Sequence, residues 1–319
     1  MNALKADDNA GKLDQTKASQ SVSREPKYDL SVIVPTYNRA ESLERLIRSL
    51  DSLEALDSIS LEVLVVNNGS TDATSNLLAR EQANPRRYHL AVLLEERRGQ
   101  SAAINLGLQC CAGRLICLLD DDVVVDPGWA RGIIDSYRQS DFDALQGRVL
   151  PGVDPQGNLA DPRKLYYYNI PLVDEGDRIK PRRGLTGAHM TAKREVFEAV
   201  GYFDYRLGPG ASGFSGDTDF SRRTRAAGFK IGYTPYAAVY HELNPARYGR
   251  TYNRRVQFQK GLSRSIYRRD SIWLHVLPNL FANGLRFCLY SLAGNARKAY
   301  VTEGRIFRWL GYLRGKIKS

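Results

Sequence analysis

Four short apolar runs, each handing over to a segment of different period, limit what this 319-residue chain can fold into more than any other feature. Leu30-Ser-Val-Ile-Val-Pro35 has the pattern of a buried strand stopped by proline, and residues 40–53 then place Leu43, Leu46, Ile47 and Leu50 at helical spacing. Residues 61–66 give a second strand, followed by Ser70-Thr-Asp72, a helix-start signal. Residues 88–94 and 114–119 supply the third and fourth, with a helix expected over 100–111 between them. Strand and helix alternating at this spacing predict an α/β fold, a mostly parallel, Rossmann-like sheet flanked by helices and joined by right-handed crossovers. In such sheets ligands bind beyond the carboxyl ends of the strands. Three of those ends are polar here: Thr36-Tyr37-Asn38-Arg39, Asn67-Asn68-Gly69-Ser70 and Asp120-Asp121-Asp122.

Past residue 126 the pattern loosens. Pro- and Gly-rich loops at 151–162 and 174–183 precede helices expected over 193–200 and 218–228, and a strand over 229–240 ends at His241. Residues 1–27 are polar and aperiodic, the composition of a disordered leader. Residues 28–242 read as one domain, with a nucleotide-type half over 28–125 and a looser half over 126–242.

The net charge of +11 is concentrated beyond residue 242. Residues 243–319 hold sixteen Lys and Arg against Asp270 and Glu303, while the preceding body is near neutral. Such a basic helical extension suits an anionic surface, either nucleic acid or the cytoplasmic face of a membrane. Residues 272–292 are apolar but broken by Pro278, Asn283, Gly284 and Arg286, which favours a surface-lying or re-entrant segment over a spanning helix. Residues 305–318 place Ile306, Trp309, Leu310, Leu313 and Ile317 on one helical face, with the cations largely elsewhere, as in a basic interfacial helix. Helices that simply pack on the domain with a solvated basic face give the same pattern. The mean hydropathy of −0.40 argues against a polytopic membrane protein. No apolar segment follows Met1 as in a secretory signal, and four cysteines without a CxxC pair read as reduced thiols, so a cytoplasmic location is expected.

The common phosphate cradles are missing: there is no GxxxxGK[ST], and proline stands where a GxGxxG would follow the first strand. A diphosphate would then need a cation held by carboxylates. Asp120-Asp121-Asp122 fits that role, since adjacent carboxylates in a low-dielectric groove repel unless a cation compensates. Strand alternation would send Asp120 and Asp122 to one side and Asp121 to the other. A solvated acidic turn before Pro127-Gly128 is the plainer alternative.

These segments together resemble the family 2 glycosyltransferases, of GT-A fold, over about residues 28–242. The resemblance rests on Val34-Pro-Thr-Tyr-Asn-Arg39, Val65-Val-Asn-Asn-Gly-Ser-Thr-Asp72, Arg98-Gly-Gln-Ser-Ala-Ala-Ile-Asn-Leu-Gly107 and Leu119-Asp-Asp-Asp122. Gly187-Ala-His-Met190, Val200-Gly-Tyr-Phe-Asp204 and Gly216-Asp-Thr-Asp219 continue it in the family's order. It implies a nucleotide-sugar donor, an acceptor hydroxyl, inversion at the anomeric carbon, and Mg2+ or Mn2+. Residues 28–125 become the nucleotide-sugar half and 126–242 the acceptor half. By position, Pro35, Thr36 and Tyr37 would line the nucleoside pocket. Asn67 and Asn68 stand where the family often has aspartates, and an amide can bond a base as donor and acceptor. Arg98 would approach the diphosphate, Asp120 and Asp121 would face the donor, and Asp122 would bind the metal directly. His241 falls where many relatives have a histidine completing the metal shell, although packing is the commoner fate of a lone histidine.

A hydroxyl attacking an anomeric carbon loses its proton as the bond forms, so a carboxylate must lie within hydrogen-bond reach. Where the family has a Glu-Asp pair this chain has Gly216-Asp217, which leaves Asp217 as general base. Capping of the following helix is the alternative for Asp217, and Asp219 is the better support residue. His189 lies in the loop that lines the family's sugar and acceptor cleft. The expected enzyme is a metal-dependent, inverting transferase. It would act on a glycan or lipid-linked acceptor in polysaccharide or glycolipid biosynthesis, as a peripheral protein on the inner face of the cell membrane and its anionic surface. Two other classes stay open: a non-catalytic sugar-nucleotide binder, and a nucleic-acid-binding protein using the tail, which no recognised motif supports.

Overall fold

Every second residue of the first strand, β1 (Tyr28–Thr36), points to the same side of a sheet. Leu30, Val32 and Val34 enter one core and Ile33 the other. The same division runs through β2 (Leu61–Asn67) and β4 (Gly113–Leu119), where Val63, Val65, Leu115 and Cys117 face one way and Leu64, Val66, Ile116 and Leu118 the other. Strands buried on both faces read as continuous apolar runs, which is why the sequence signals them so clearly. In this computed structural model, which describes residues 25–318, helices cover both faces. Residues 1–24 of the expected leader lie outside the described residues.

On the first face α1 (Ala40–Asp51) buries Leu43, Leu46, Ile47 and Leu50, and α2 (Thr74–Ala83) and α4 (Trp129–Arg138) lie beside it. On the second face α3 (Gln100–Cys110), α5 (Arg194–Val200) and α6 (Gly216–Ala226) close over Phe197, Phe203 and Phe220, whose rings stack. The sheet runs β3-β2-β1-β4-β8-β6-β9-β5, where β3 is His89–Leu94, β5 Val123–Val125, β6 Ala144–Pro151, β8 His189–Lys193 and β9 Ile231–His241; β7 (Lys180–Pro181) pairs with β9. It is parallel through β3, β2, β1 and β4 and mixed beyond, because β8 is antiparallel to both β4 and β6, and β5 is antiparallel to β9. The order reverses between β1 and β4, so their carboxyl ends flank a crevice, the usual ligand position in an open sheet.

After β9 the chain forms α7 (Arg250–Tyr267), a π-turn over Ile272–Val276, α8 (Leu277–Leu292) and α9 (Ala296–Lys318). Helix α7 and helix α9 approach closely enough that a Cβ on Gly311 would sit 2.0 Å from the Phe258 carbonyl oxygen, and one on Gly261 would overlap Arg308. Tyr248 and Tyr300 pack these helices onto Tyr166, Tyr167 and Tyr168, and the Tyr300 hydroxyl donates to Asn169 Oδ1 at 3.1 Å. On α9 the expected apolar face stays at least partly exposed, at Ile306, Trp309, Leu310, Leu313 and Ile317, whereas Tyr300, Thr302, Glu303, Gly311 and Tyr312 are buried. The reason is that contact with α7 selects the stripe with glycines, where the backbones can meet. Exposed apolar side chains are concentrated instead on α8 and its leading turn, at Trp273, Leu274, Phe281, Leu285, Leu289 and Leu292. Among the described residues no helix is long and apolar enough to cross a membrane. All four cysteines are free thiols.

Candidate active site

Strand β4 ends at Leu119, so Asp120, Asp121 and Asp122 lie in the turn before β5 rather than in a pleated strand. Alternation therefore does not separate them: all three line a cavity of about 300 Å3 at the β1/β4 crevice. Thr36, at the end of β1, donates its hydroxyl to Asp121 Oδ2 at 2.8 Å. Gln100, the first residue of α3, donates to Asp120 Oδ1 at 3.2 Å. Pairing of β5 with β9 sets Val123 opposite His241, which carries the imidazole back beside Asp122. His241 Nε2 lies 3.4 Å from Asp122 Oδ1. Its Nδ1–H donates to the Glu242 carbonyl at 2.9 Å, leaving Nε2 as the ring atom that can take up a cation.

Oxygen and nitrogen ligand atoms of Asp120, Asp122 and His241 lie within 4.8 Å of one another, a donor set suited to Mg2+ or Mn2+. Electrostatics agree with the geometry. Burial and the neighbouring Asp122 carboxylate push Asp120 and Asp121 above the usual carboxylate range. Burial would raise Asp122 as well, but His241, Arg247 and Arg39 outweigh it and hold that carboxyl low. Arg39 and Arg247 donate to Asp122 Oδ2 at 2.8 and 3.0 Å. Two guanidiniums face three carboxylates in this cluster, and a divalent cation would relieve the burial and repulsion that raise Asp120 and Asp121.

The other expected donor residues divide. Pro35, Thr36, Tyr37, Asn68 and Arg98 line the same cavity, with the Arg98 guanidinium 5.4 Å from the centre of the exposed Tyr37 ring. Asn68 has spent its amide on the wall, donating to the Glu95 and Arg97 carbonyls and accepting from Gly99 N–H. Asn67 stands behind the wall and outside the cavity: its amide donates to Ser75 Oγ and accepts from Ser70 N–H, which shapes the loop after β2.

A second cavity, of about 700 Å3, opens beside the first, and Asp120 lines both. Asp217 enters it from the first turn of α6, where the helix's positive end favours a carboxylate. Asp217 Oδ1 accepts from Thr218 N–H at 2.7 Å and Oδ2 from Gly187 N–H at 3.2 Å. Ser215, just ahead of the helix, is held at φ +76°, a left-handed conformation rare for serine. Asp219 lies outside the cavity, bound by Arg222 and Arg223 at 2.9 and 2.8 Å, and Arg223 ties the helix to the Val200 carbonyl. His189 is also placed outside the cleft. It faces the core from β8 and accepts from Trp129 Nε1 at 3.0 Å, and burial pushes its imidazole down to about 3. A residue opposite Leu119 in the β4–β8 ladder has its orientation set by the pleat, and here the pleat turns it inward.

Sequence reasoning did not single out Arg39, Gln100, Arg247, Lys260 or Arg308, all of which line these cavities. For Arg247 a signal existed, six positions after His241, but it was absorbed into the net charge of the tail.

Comparison with known proteins places this arrangement. Residues 31–201 match the family model described as Glycosyl transferase family 2. "Glycosyltransferase AglE" of Haloferax volcanii is 27% identical over 217 residues, covering 68% of this chain and 67% of its own length. "Undecaprenyl-phosphate 4-deoxy-4-formamido-L-arabinose transferase" of Enterobacter sp. is 36% identical over 100 residues, 31% of each chain, so that match spans less than a third of the relative. Among solved structures, the "Mannosyltransferase PcManGT from Pyrobaculum calidifontis in complex with GDP-Man and Mn2+" superposes with a TM-score of 0.62 at 17% identity, over 95% of this chain and 93% of that one. That likeness is one of fold, GT-A. With the family motifs spread over more than half its length, the chain belongs to glycosyl transferase family 2 and is a glycosyltransferase.

Proposed function

We propose that this enzyme moves a sugar from a nucleotide-sugar donor to a hydroxyl of a glycan or lipid-linked acceptor, with inversion at the anomeric carbon and with Mg2+ or Mn2+. The observation that carries the reading is Asp120, shared by a small carboxylate-lined cleft and a larger cavity holding Asp217. A donor whose nucleoside lies along Pro35–Tyr37 and whose diphosphate ends at the carboxylates would present its sugar to the larger cavity. Asp120, Asp122 and His241 would hold the cation, which would neutralise charge developing on the departing diphosphate.

The protein's own residues do the rest. Arg39 and Arg247 fix the rotamer of Asp122, and Gln100 fixes Asp120. Asp217 Oδ2 accepts a single hydrogen bond and keeps a lone pair for an acceptor proton. The acceptor oxygen bonds to the anomeric carbon from the face opposite the diphosphate, and its proton passes to Asp217. The carbon–oxygen bond to the diphosphate breaks, and its electron pair leaves on the nucleotide.

The exposed stripe of α8, beside Arg268, Arg269, Arg286, Arg297 and Lys298, supports peripheral attachment to an anionic membrane surface, where a lipid-linked acceptor would be met. The aliphatic Leu274, Leu285, Leu289 and Leu292 of the same stripe suit lipid, since bases stack on aromatic rings and not on leucines. The testing experiment is calorimetric titration of a panel of nucleotide-sugars with and without Mn2+. Binding of at least one donor should require the cation and vanish in Asp122→Ala; metal-independent binding that survives this substitution would remove the metal from the reading.

A further inference from the structure

The larger cavity has one wall that the transfer chemistry leaves unexplained. Its far side is built by the basic extension, from Lys260 and Arg264 on α7 and Arg308 on α9. Arg264 has a counter-charge, with its Nε 2.6 Å from Asp270 Oδ2. Lys260 and Arg308 have none among the described residues. The Lys260 ammonium has only the Phe214 ring, 5.3 Å away, and Arg308 donates to the neutral Gln257 Oε1. Partly buried cations without a carboxylate are costly, and a chain keeps them where a ligand supplies the missing charge. Burial pushes both groups below their ordinary values, and for Lys260 the nearby Arg308 adds to this while Asp217 opposes it. The cluster therefore faces Asp217 across the space assigned to the acceptor.

We infer that Lys260 and Arg308, with Arg264 beside them, form a phosphate subsite that holds a phosphoryl group of the acceptor while its hydroxyl meets Asp217. This rests on the glycosyl-transfer reading. Two unpaired cations match a phosphate monoester, which carries between one and two negative charges at neutral pH and three acceptor oxygens. A carboxylate brings one charge and would leave the second cation exposed to its neighbours. Arginine also presents a fork that fits phosphate oxygens in pairs. The apolar remainder of the cavity, including Phe203, Met190, Val256 and Tyr252, leaves room for a sugar or lipid body beside the charge. Such charge can belong to the phosphate of a phosphorylated glycan or to the diphosphate that links a sugar to a lipid carrier, which also bears two charges; in both, the hydroxyl is the sugar's.

Calorimetry on the full chain, in chelator so that the carboxylate cleft does not compete, separates these sources. The probes are a fifteen-carbon polyprenyl diphosphate carrying one hexose, a hexose phosphate, and a hexuronic acid as the carboxylate comparison. Wild type should bind at least one phosphate probe and the double variant Lys260→Gln/Arg308→Gln at least about tenfold more weakly. The lipid diphosphate binding better points to the carrier, the hexose phosphate to the glycan. Equal binding by the double variant, tighter binding of the hexuronic acid, or no binding of either phosphate overturns the inference. Folding is checked by melting: the double variant should melt no lower than wild type, and inorganic phosphate should stabilise wild type alone. Mn2+-dependent donor binding in the double variant should match wild type. Its absence from wild type would count against the transferase reading, independently of the phosphate result.

Discussion

At the residue scale the assignments separate by what each side chain has already spent. Asn67 has committed its amide to the loop and His189 its Nε2 to the core Trp129, while Asp217 keeps an open lone pair. Asp217→Asn removes the proposed proton acceptor and keeps the shape. Transfer should fall by roughly 10²–10⁴-fold, the range for a positioned base, while Mn2+-dependent donor binding is retained; a product assay and a donor titration on the same sample check both halves. His189 gives a prediction in pH. Its imidazole stays neutral down to about 3 when folded, whereas in the unfolded chain it protonates near 6.5. Between those values the unfolded state binds the extra proton, so this residue withdraws stability as pH falls, by about 1.4 kcal/mol per pH unit. Stability curves between pH 6 and 4 should therefore be steeper for wild type than for His189→Gln.

At the element scale the decisive contact is that of α7 with α9, because it brings Lys260 and Arg308 to the same cavity. Replacing a helical glycine by alanine gains up to about 1 kcal/mol of helix propensity. At Gly311 the added methyl would lie 2.0 Å from the Phe258 carbonyl oxygen, and overpacking of this kind costs about 1–3 kcal/mol or more. The clash wins, and Gly311→Ala should melt lower. Gly284 on α8 has nothing within 4 Å of the same methyl, so Gly284→Ala should melt slightly higher. Opposite signs for one substitution on two neighbouring helices, read by calorimetric melting, test the packing directly.

For the molecule as a whole, the mixed sheet, the two cavities and the exposed face of α8 make one arrangement. Each large apolar side chain taken from water is worth about 1.5–3 kcal/mol, so several together on α8 would give the proposed attachment its affinity for lipid. Phe281→Glu/Leu285→Glu should abolish co-sedimentation with anionic vesicles, and its rate with a water-soluble acceptor should stay near wild type. An unchanged vesicle-bound fraction would put the attachment elsewhere.

The order of strands and helices from residue 28 to 122 was legible because fully buried parallel strands have no polar positions to blur them, and because polar residues gather where those strands end. The same local signals marked Asp120 and Asp122 as candidate ligand residues, and the family resemblance added Asp217. They could not say that Asp121 shares the cleft with its neighbours, since that depends on where β4 stops pairing, nor that Asn67 and His189 turn away. Least visible was the extension. A charge count marks its cations as surface groups, but Arg247 reaches Asp122 and Lys260 and Arg308 line the larger cavity. The strand–helix pattern is a matter of neighbours along the chain, fixed by local hydrophobic period. Which cation meets which carboxylate, 125 positions apart for Arg247 and Asp122, is settled only when glycine-lined helices close on one another and the sheet edge folds back.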